Sequence, residues 1–266
     1  MTRVSVADLQ QAKREGRKIV GIVVWDAQLA AIADAAGADF LSVGDSIGVN
    51  LWAHSSPLEI GLEEMLIVAR AVRRGSRRAL VSCDFPFGPL QEGPDAALRA
   101  AIRLVKEAGV DMVKLDAAAQ FPDAVAAITR AGIPVFAQIG VTPQTGIASA
   151  YDGRAAKEAS GLESVVEAAI AEARRVEDAG AAMIDFTNSG PVAGAAVCEA
   201  SNVPVVGGLG GGPWLDGRVR MATAAIGYAA SELDEPKAGY GNVAQVAFEG
   251  ISALVDDVRS GRQIRG

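Results

Sequence analysis

Three aspartates stand where short apolar runs end. Asp45 follows Phe40–Gly44 in Val43-Gly44-Asp45-Ser46, Asp84 closes Ala79–Asp84 ahead of Phe85-Pro86-Phe87-Gly88, and Asp116 closes Met112–Asp116 in Val113-Lys114-Leu115-Asp116. Acids brought into one small volume repel each other unless a proton or a cation compensates. An all-oxygen set suits a hard divalent ion, and Mg2+ takes one or two carboxylates with water and substrate supplying the rest. No Cys/His cluster offers zinc an alternative. A single aspartate after a strand is commonly the cap of the next helix; three in succession make Asp45, Asp84 and Asp116 candidate metal ligands. Lys114 lies two residues before Asp116, so both side chains share one strand face. A lysine in an interior layer needs a partner. Two roles are open to it: neutralising a substrate carboxylate or developing enolate, or structural pairing with Asp84 or Asp116.

These acids need a scaffold that gathers strand ends. Helix-patterned stretches end in Ala-Gly at Ala36-Gly37, Ala108-Gly109, Ala131-Gly132 and Ala179-Gly180, each followed two residues later by an apolar run. Glycine there suits the left-handed position that closes a helix, and unbroken apolar runs suit strands buried on both faces. The pattern predicts strands at Ile19–Val24, Phe40–Gly44, Ala79–Asp84, Met112–Asp116, Val135–Ile139, Ala182–Thr187 and Pro204–Gly207, with a weak last one near Ala222–Ile226. Between them fall helices, most clearly Leu62–Arg74, Pro94–Ala108, Asp123–Ala131 and Leu162–Ala179. Eight strands alternating with helices, and no Gly-x-Gly-x-x-Gly after the first, predict a (βα)8 TIM barrel of the α/β class. The 266 residues are close to the ~250 of one such barrel. No linker divides them, so residues 1–266 read as a single domain with a C-terminal helical appendage at about 243–259. In a barrel the C-terminal strand ends share the face where active sites lie.

Composition narrows the partners. The chain is 50% hydrophobic, 5% aromatic and carries a formal charge of −7, without the basic, aromatic-interleaved patch that nucleic acid requires. Cys83 and Cys198 are too few for a disulfide framework. No apolar run spans a bilayer and the N-terminal residues lack a signal-type core, so a cytoplasmic protein is expected.

Asp45-Ser46-Ile47-Gly48, Asp84-Phe85-Pro86-Phe87-Gly88, Val113-Lys114-Leu115-Asp116, Gly140-Val141-Thr142-Pro143-Gln144 and Gly210-Gly211-Gly212-Pro213 through Asp216-Gly217 together resemble ketopantoate hydroxymethyltransferase, a family of the phosphoenolpyruvate mutase/isocitrate lyase superfamily. The likeness runs from Val6-Ala7-Asp8-Leu9 to Val258-Arg259-Ser260-Gly261-Arg262. It implies a barrel enzyme that assembles into a large homo-oligomer, with a decamer as one candidate size, and binds Mg2+. It also implies aldol-type transfer of a hydroxymethyl group from 5,10-methylenetetrahydrofolate to a small 2-oxo acid through a metal-held enolate. On that likeness Asp45 and Asp84 bind metal as well as substrate, Ser46 holds the substrate carboxylate, Lys114 contacts the substrate, and Asp116 stands where the family has a glutamate.

Departures mark where chemistry has shifted. Gln138 replaces a family histidine; it can donate a hydrogen bond but cannot titrate. Thr187 occupies, by gapless count, the position of the glutamate taken as general base. Asp185, two residues earlier on the same strand face, is either a substitute base or a structural partner for Lys114. His54, the only histidine, lies in the loop after strand two and is either a solvated side chain or a relocated base. Trp25 and Trp52 lie near the same rim and shape the pocket. The run Gly207-Gly208-Leu209-Gly210-Gly211-Gly212 reads as a phosphate cradle or as tight turns. Three functions follow: the folate-dependent transferase, a folate-independent 2-oxo-acid aldolase or C–C lyase, and a catalytically silent paralogue kept for binding.

Overall fold

The computed structural model describes residues 2–145, 162–235, 237 and 239–262. Eight parallel strands close a barrel in chain order: β1 (Ile19–Val23), β2 (Phe40–Val43), β3 (Leu80–Asp84), β4 (Met112–Leu115), β5 (Val135–Gly140), β6 (Met183–Thr187), β7 (Val205–Gly207) and β8 (Gly217–Met221). The fold is a (βα)8 barrel, as the alternation predicts. β2, β3, β5 and β6 are buried along their whole lengths, which is why they read as unbroken apolar runs. The helices are α1 (Val6–Arg14), α2 (Ala27–Ala35), α3 (Ile47–Leu51), α4 (Leu62–Gly75), α5 (Pro94–Arg103), α6 (Pro122–Arg130), α7 (Leu162–Asp178), α8 (Pro191–Ala200), α9 (Ala222–Ala225) and α10 (Val243–Arg259). The helix ends are legible chemistry. Asp26 accepts from the N–H groups of Gln28 and Leu29, both at 2.8 Å, and so starts α2. Gly37, Gly109, Gly132 and Gly180 all have positive φ, from 68° to 97°, and turn the chain from helix to strand.

The last strand departs from expectation. Pairing of Val206 with Gly217 and Gly207 with Arg218 places β8 at Gly217–Met221, while Ala222–Ala225, inside the run expected as strand, is a short helix. β8 alternates buried Gly217 and Val219 with exposed Arg218 and Arg220, a half-solvated pattern that the apolar template for buried strands passes over. Arg218 donates to the carbonyls of Gly207 and Gly208 at 3.1 and 3.2 Å. It thereby pins the start of the glycine-rich loop.

Strand register orders the barrel interior. Phe40 pairs with Leu80, Ser42 with Ser82, Asp84 with Lys114, Phe136 with Met183 and Gln138 with Asp185. Because inward residues recur every second position, each of these strands runs from an apolar residue near its start to a polar one nearer its end. The starts form one cluster of Leu9, Ala12, Ile19, Phe40, Leu80, Met112, Phe136, Met183, Val206 and Val219, in which Leu9 and Ala12 come from α1. Phe40 and Phe136 meet edge to face at 5.7 Å. Gly21 is required beside them, since a Cβ there would lie 2.3 Å from the Phe40 ring.

Met1–Val219 and Arg220–Gly266 are two compact units. Within the second, Tyr240 N donates to Ala225 O at 2.8 Å and Val243 N to Ile226 O at 2.9 Å, which fixes the start of α10 over the range expected for it. No helix among the described residues is long and apolar enough to cross a membrane. Both cysteines are free.

Candidate active site at the strand ends

The polar ends of β2 to β6 converge on Lys114. Its ammonium lies 3.4 Å from Asp84 Oδ2 on β3 and 3.0 Å from Asp185 Oδ2 on β6, and it sits 5.8 Å from the centre of the Phe136 ring below. Of the structural pairings open to Lys114 from sequence, those with Asp84 and Asp185 are present, whereas Asp116 and Lys114 interact through charge. Ser42 Oγ lies 3.5 Å from Asp84 Oδ1. Asp185 Oδ1 and Ser82 Oγ are buried without a hydrogen-bond partner, and buried polar atoms of that kind call for a ligand or water.

Asp45 and Asp116 are held by the segment after β5. Gln144 Nε2 donates to Asp45 Oδ2 at 2.7 Å and to the Phe85 carbonyl at 2.8 Å. Its backbone N–H and the Thr145 hydroxyl both donate to Asp116 Oδ2, each at 3.2 Å. From the other side the Trp25 indole donates to the carbonyl of Gly44 at 2.9 Å, which fixes the residue before Asp45. Trp25 is buried, so its part is to anchor the rim.

The electrostatics follow from crowding. Burial pushes the Asp84 carboxyl up to about 7; Lys114 pulls against that, and the charges of Asp45 and Asp185 add to it. Burial likewise raises Asp116 to about 6, with Lys114, Thr145 and Gln144 opposing and Asp45 assisting. Burial works to lower Lys114, yet Asp84, Asp185 and Asp45 outweigh it and hold the ammonium charged well above its ordinary range. Two carboxylates, Asp84 and Asp185, pair with the one ammonium, and the charges of Asp45 and Asp116 act on the same cluster, an excess of negative charge.

The other expected residues fall as follows. Ser46 begins α3 and its hydroxyl makes no cap bond to that helix. Gln138 is buried and donates to Val141 O at 3.4 Å. Thr187 ends β6, buried, opposite Gly140. His54 packs on Gly48, where a Cβ would come within 2.6 Å of its Nδ1, and against Trp52 at 5.9 Å between ring centroids. No hydrogen bond joins it to any of the four aspartates among the described residues, and its Nδ1 is buried and unpartnered. Among the described residues no three His, Cys, Asp or Glu side chains gather as a metal-holding group; Asp84 is paired with Lys114, Asp45 with Gln144, and Asp116 with Gln144 and Thr145. Gln144 carries no role in the sequence reading, although Thr142-Pro143-Gln144 was visible as a motif. Among the described residues, three other than glycine have positive φ: Ala53, Ala117 and Asn188, at 58°, 48° and 56°. They adjoin His54, Asp116 and Thr187 in turn, and strained backbone of this kind collects at functional sites.

A profile of ketopantoate hydroxymethyltransferase matches residues 3–263. The chain belongs to that family. Among its relatives, 3-methyl-2-oxobutanoate hydroxymethyltransferase of a Cyanothece species is 36% identical over 263 residues, 97% of each chain. The enzyme of the same name from Streptomyces avermitilis is 34% identical, covering 97% of this chain and 88% of its own. Solved structures share the fold at lower identity. A 2,3-dimethylmalate lyase, described as a PEP mutase/isocitrate lyase superfamily member, has a TM-score of 0.61 at 15% identity, covering 98% of this chain and 89% of its own. An oxaloacetate acetylhydrolase has 0.60 at 16%, covering all of both chains. The family is one of hydroxymethyltransferases, enzymes that transfer a one-carbon unit.

Proposed function

We propose that this protein is a one-carbon transferase that makes a carbon–carbon bond at the carbon beside the keto group of a small 2-oxo acid, with 5,10-methylenetetrahydrofolate as donor and a divalent cation, Mg2+, at the strand ends. The observation that carries the reading is the excess of acid at one end of the barrel: Asp45, Asp84, Asp116 and Asp185 against Lys114 alone, in a chain of this family.

The donor set fits a hard cation. It is oxygen throughout, and burial and mutual repulsion hold Asp84 up near 7 despite Lys114, a penalty that a bound cation removes. Asp45 and Asp84 would hold the ion, with water and substrate completing its shell, and Asp116 stands as the third acid of the rim. Bound there, the ion supplies Lewis-acid polarisation of the keto oxygen. The protein does the remainder. Ser46, whose hydroxyl is not used in capping, binds the substrate carboxylate. Gln138, buried and able only to donate or accept hydrogen bonds, orients the keto group. Lys114 stays charged and favours negative charge that develops on the substrate. Thr187 offers no titratable group, so proton removal falls to Asp185: Oδ2 is fixed by Lys114 and Oδ1 is left to take the proton.

Proton removal precedes the choice of acceptor, so it tests the reading first. Purified protein with Mg2+ in deuterated water should exchange the protons beside the keto group of at least one small 2-oxo acid. Adding 5,10-methylenetetrahydrofolate or formaldehyde then tells the folate-dependent reaction from a folate-independent aldolase. If no 2-oxo acid in a broad panel exchanges, the protein is not an enzyme of this kind.

A further inference from the structure

We propose that Gln144 is a positioning residue, a clasp that sets Asp45 against the ends of β3 and β4 before any ligand arrives; this rests on the metal reading above. A glutamine amide has two hydrogens on one nitrogen, and in Gln144 both are spent, at 2.7 Å on Asp45 Oδ2 and 2.8 Å on the Phe85 carbonyl. Phe85 N in turn donates to Lys114 O at 2.8 Å, so the carbonyl that receives the clasp belongs to a residue locked between β3 and β4. The same residue's backbone N–H reaches Asp116 Oδ2. One residue from beyond β5 thus ties the acids that follow β2 and β4 to the backbone that follows β3.

The clasp answers a mechanical problem. Asp45 follows β2 by two residues and stands on a loop, half-buried, and a loop acid has rotamers to lose on binding an ion. A charge-assisted hydrogen bond fixes such an acid beforehand, and supporting partners of this type commonly account for about 10–100-fold in metal affinity. Only a donor serves here, since its partners are a carboxylate and a carbonyl oxygen. The bonds from Gln144 and Thr145 fall on Oδ2 of Asp45 and Asp116, so among the described residues the other oxygen of each acid is left for a ligand.

The test uses Gln144→Met, which keeps length and volume but removes the donors, and Gln144→Ala as a second variant that does not depend on how methionine packs. Mg2+ affinity of the substrate-free protein is read by calorimetry, with Mn2+ paramagnetic resonance as a second readout. Both variants should bind at least ~10-fold more weakly than wild type, while circular dichroism and the metal-free Tm stay close to wild type. In an Asp45→Asn background the Gln144 substitutions should add little further loss, because the clasp acts through Asp45. If wild type binds Mg2+ and the variants bind as tightly, or the losses are additive, the clasp is wrong and the metal reading stands. If wild type binds neither Mg2+ nor Mn2+, the metal reading falls and the clasp with it.

Discussion

The two ends of the barrel interior are built from the same strands by opposite rules. Near the strand starts, Phe40, Leu80, Met112, Phe136 and Met183 close the barrel with an apolar plug that α1 covers with Leu9 and Ala12. Two residues further along those strands stand Ser42, Ser82, Lys114, Gln138 and Asp185, all but Lys114 buried. The plug buries apolar surface at a gain of roughly 25 cal/mol per Å2. The polar layer buries charge, which costs stability unless every group is paired, and here pairing is incomplete. A shift of two residues along a strand therefore separates what holds the barrel together from what it is for. Substitutions at the two ends should consequently fail in different ways.

The largest effect is expected at the plug. Phe40→Ala removes a fully buried ring from contact with Phe136 and should cost about 3–5 kcal/mol. Thermal unfolding should then fall by on the order of 10 °C, while the protein that remains folded keeps its turnover. A loss of turnover at unchanged Tm would erase the division between the two ends.

At the polar end the order reverses. Asp84→Asn should lower activity at least ~100-fold, since a ligand and a charge go together, yet the metal-free protein should stay folded. The pH dependence gives this a sign. The Asp84 carboxyl is raised by burial to about 7 in the folded chain, above its unfolded value. The folded state therefore holds the proton more tightly, and Asp84 destabilises it increasingly as pH rises toward and through about 7. In the absence of metal, Asp84→Asn should gain stability relative to wild type between about pH 5 and pH 8, measured as the difference in Tm. A constant difference across that range would show that Asp84 is already ionised and satisfied.

Legibility from sequence follows the same division. Unbroken apolar runs and Ala-Gly stops are local signals, so seven strands and the main helices were readable, as was the placing of Asp45, Asp84 and Asp116 at neighbouring strand ends. β8 was not, because exposed Arg218 and Arg220 interrupt it. Asp84 and Asp185 were both readable as partners for Lys114, because alternation puts all three on one inward face. Which of the open roles each takes was not, since the 3.0 Å pair with Asp185 spans from β4 to β6 and depends on the reach of a lysine across the barrel. Gln144 lies further still from sequence logic, since its bonds to Asp45 and Phe85 depend on the course of the chain after β5.

The smallest effect probes the seam between strand and site. Ala117 follows Asp116 directly, is buried and has φ 48° and ψ 36°, a conformation that costs a residue with a Cβ roughly 1–2 kcal/mol. Glycine removes that cost, but it loses a buried methyl worth about 0.8 kcal/mol and gains freedom in the unfolded chain. These terms nearly cancel, so Ala117→Gly should change stability by less than ~1 kcal/mol. Ala118, equally buried but in the short helical turn that follows, has no strain to release, and Ala118→Gly should cost more than Ala117→Gly by about 1 kcal/mol. Denaturant unfolding of the pair measures that gap directly. Equal losses would mean that Ala117 stores no strain, and that the aim of Asp116 is set by its bonds to Gln144 and Thr145 alone.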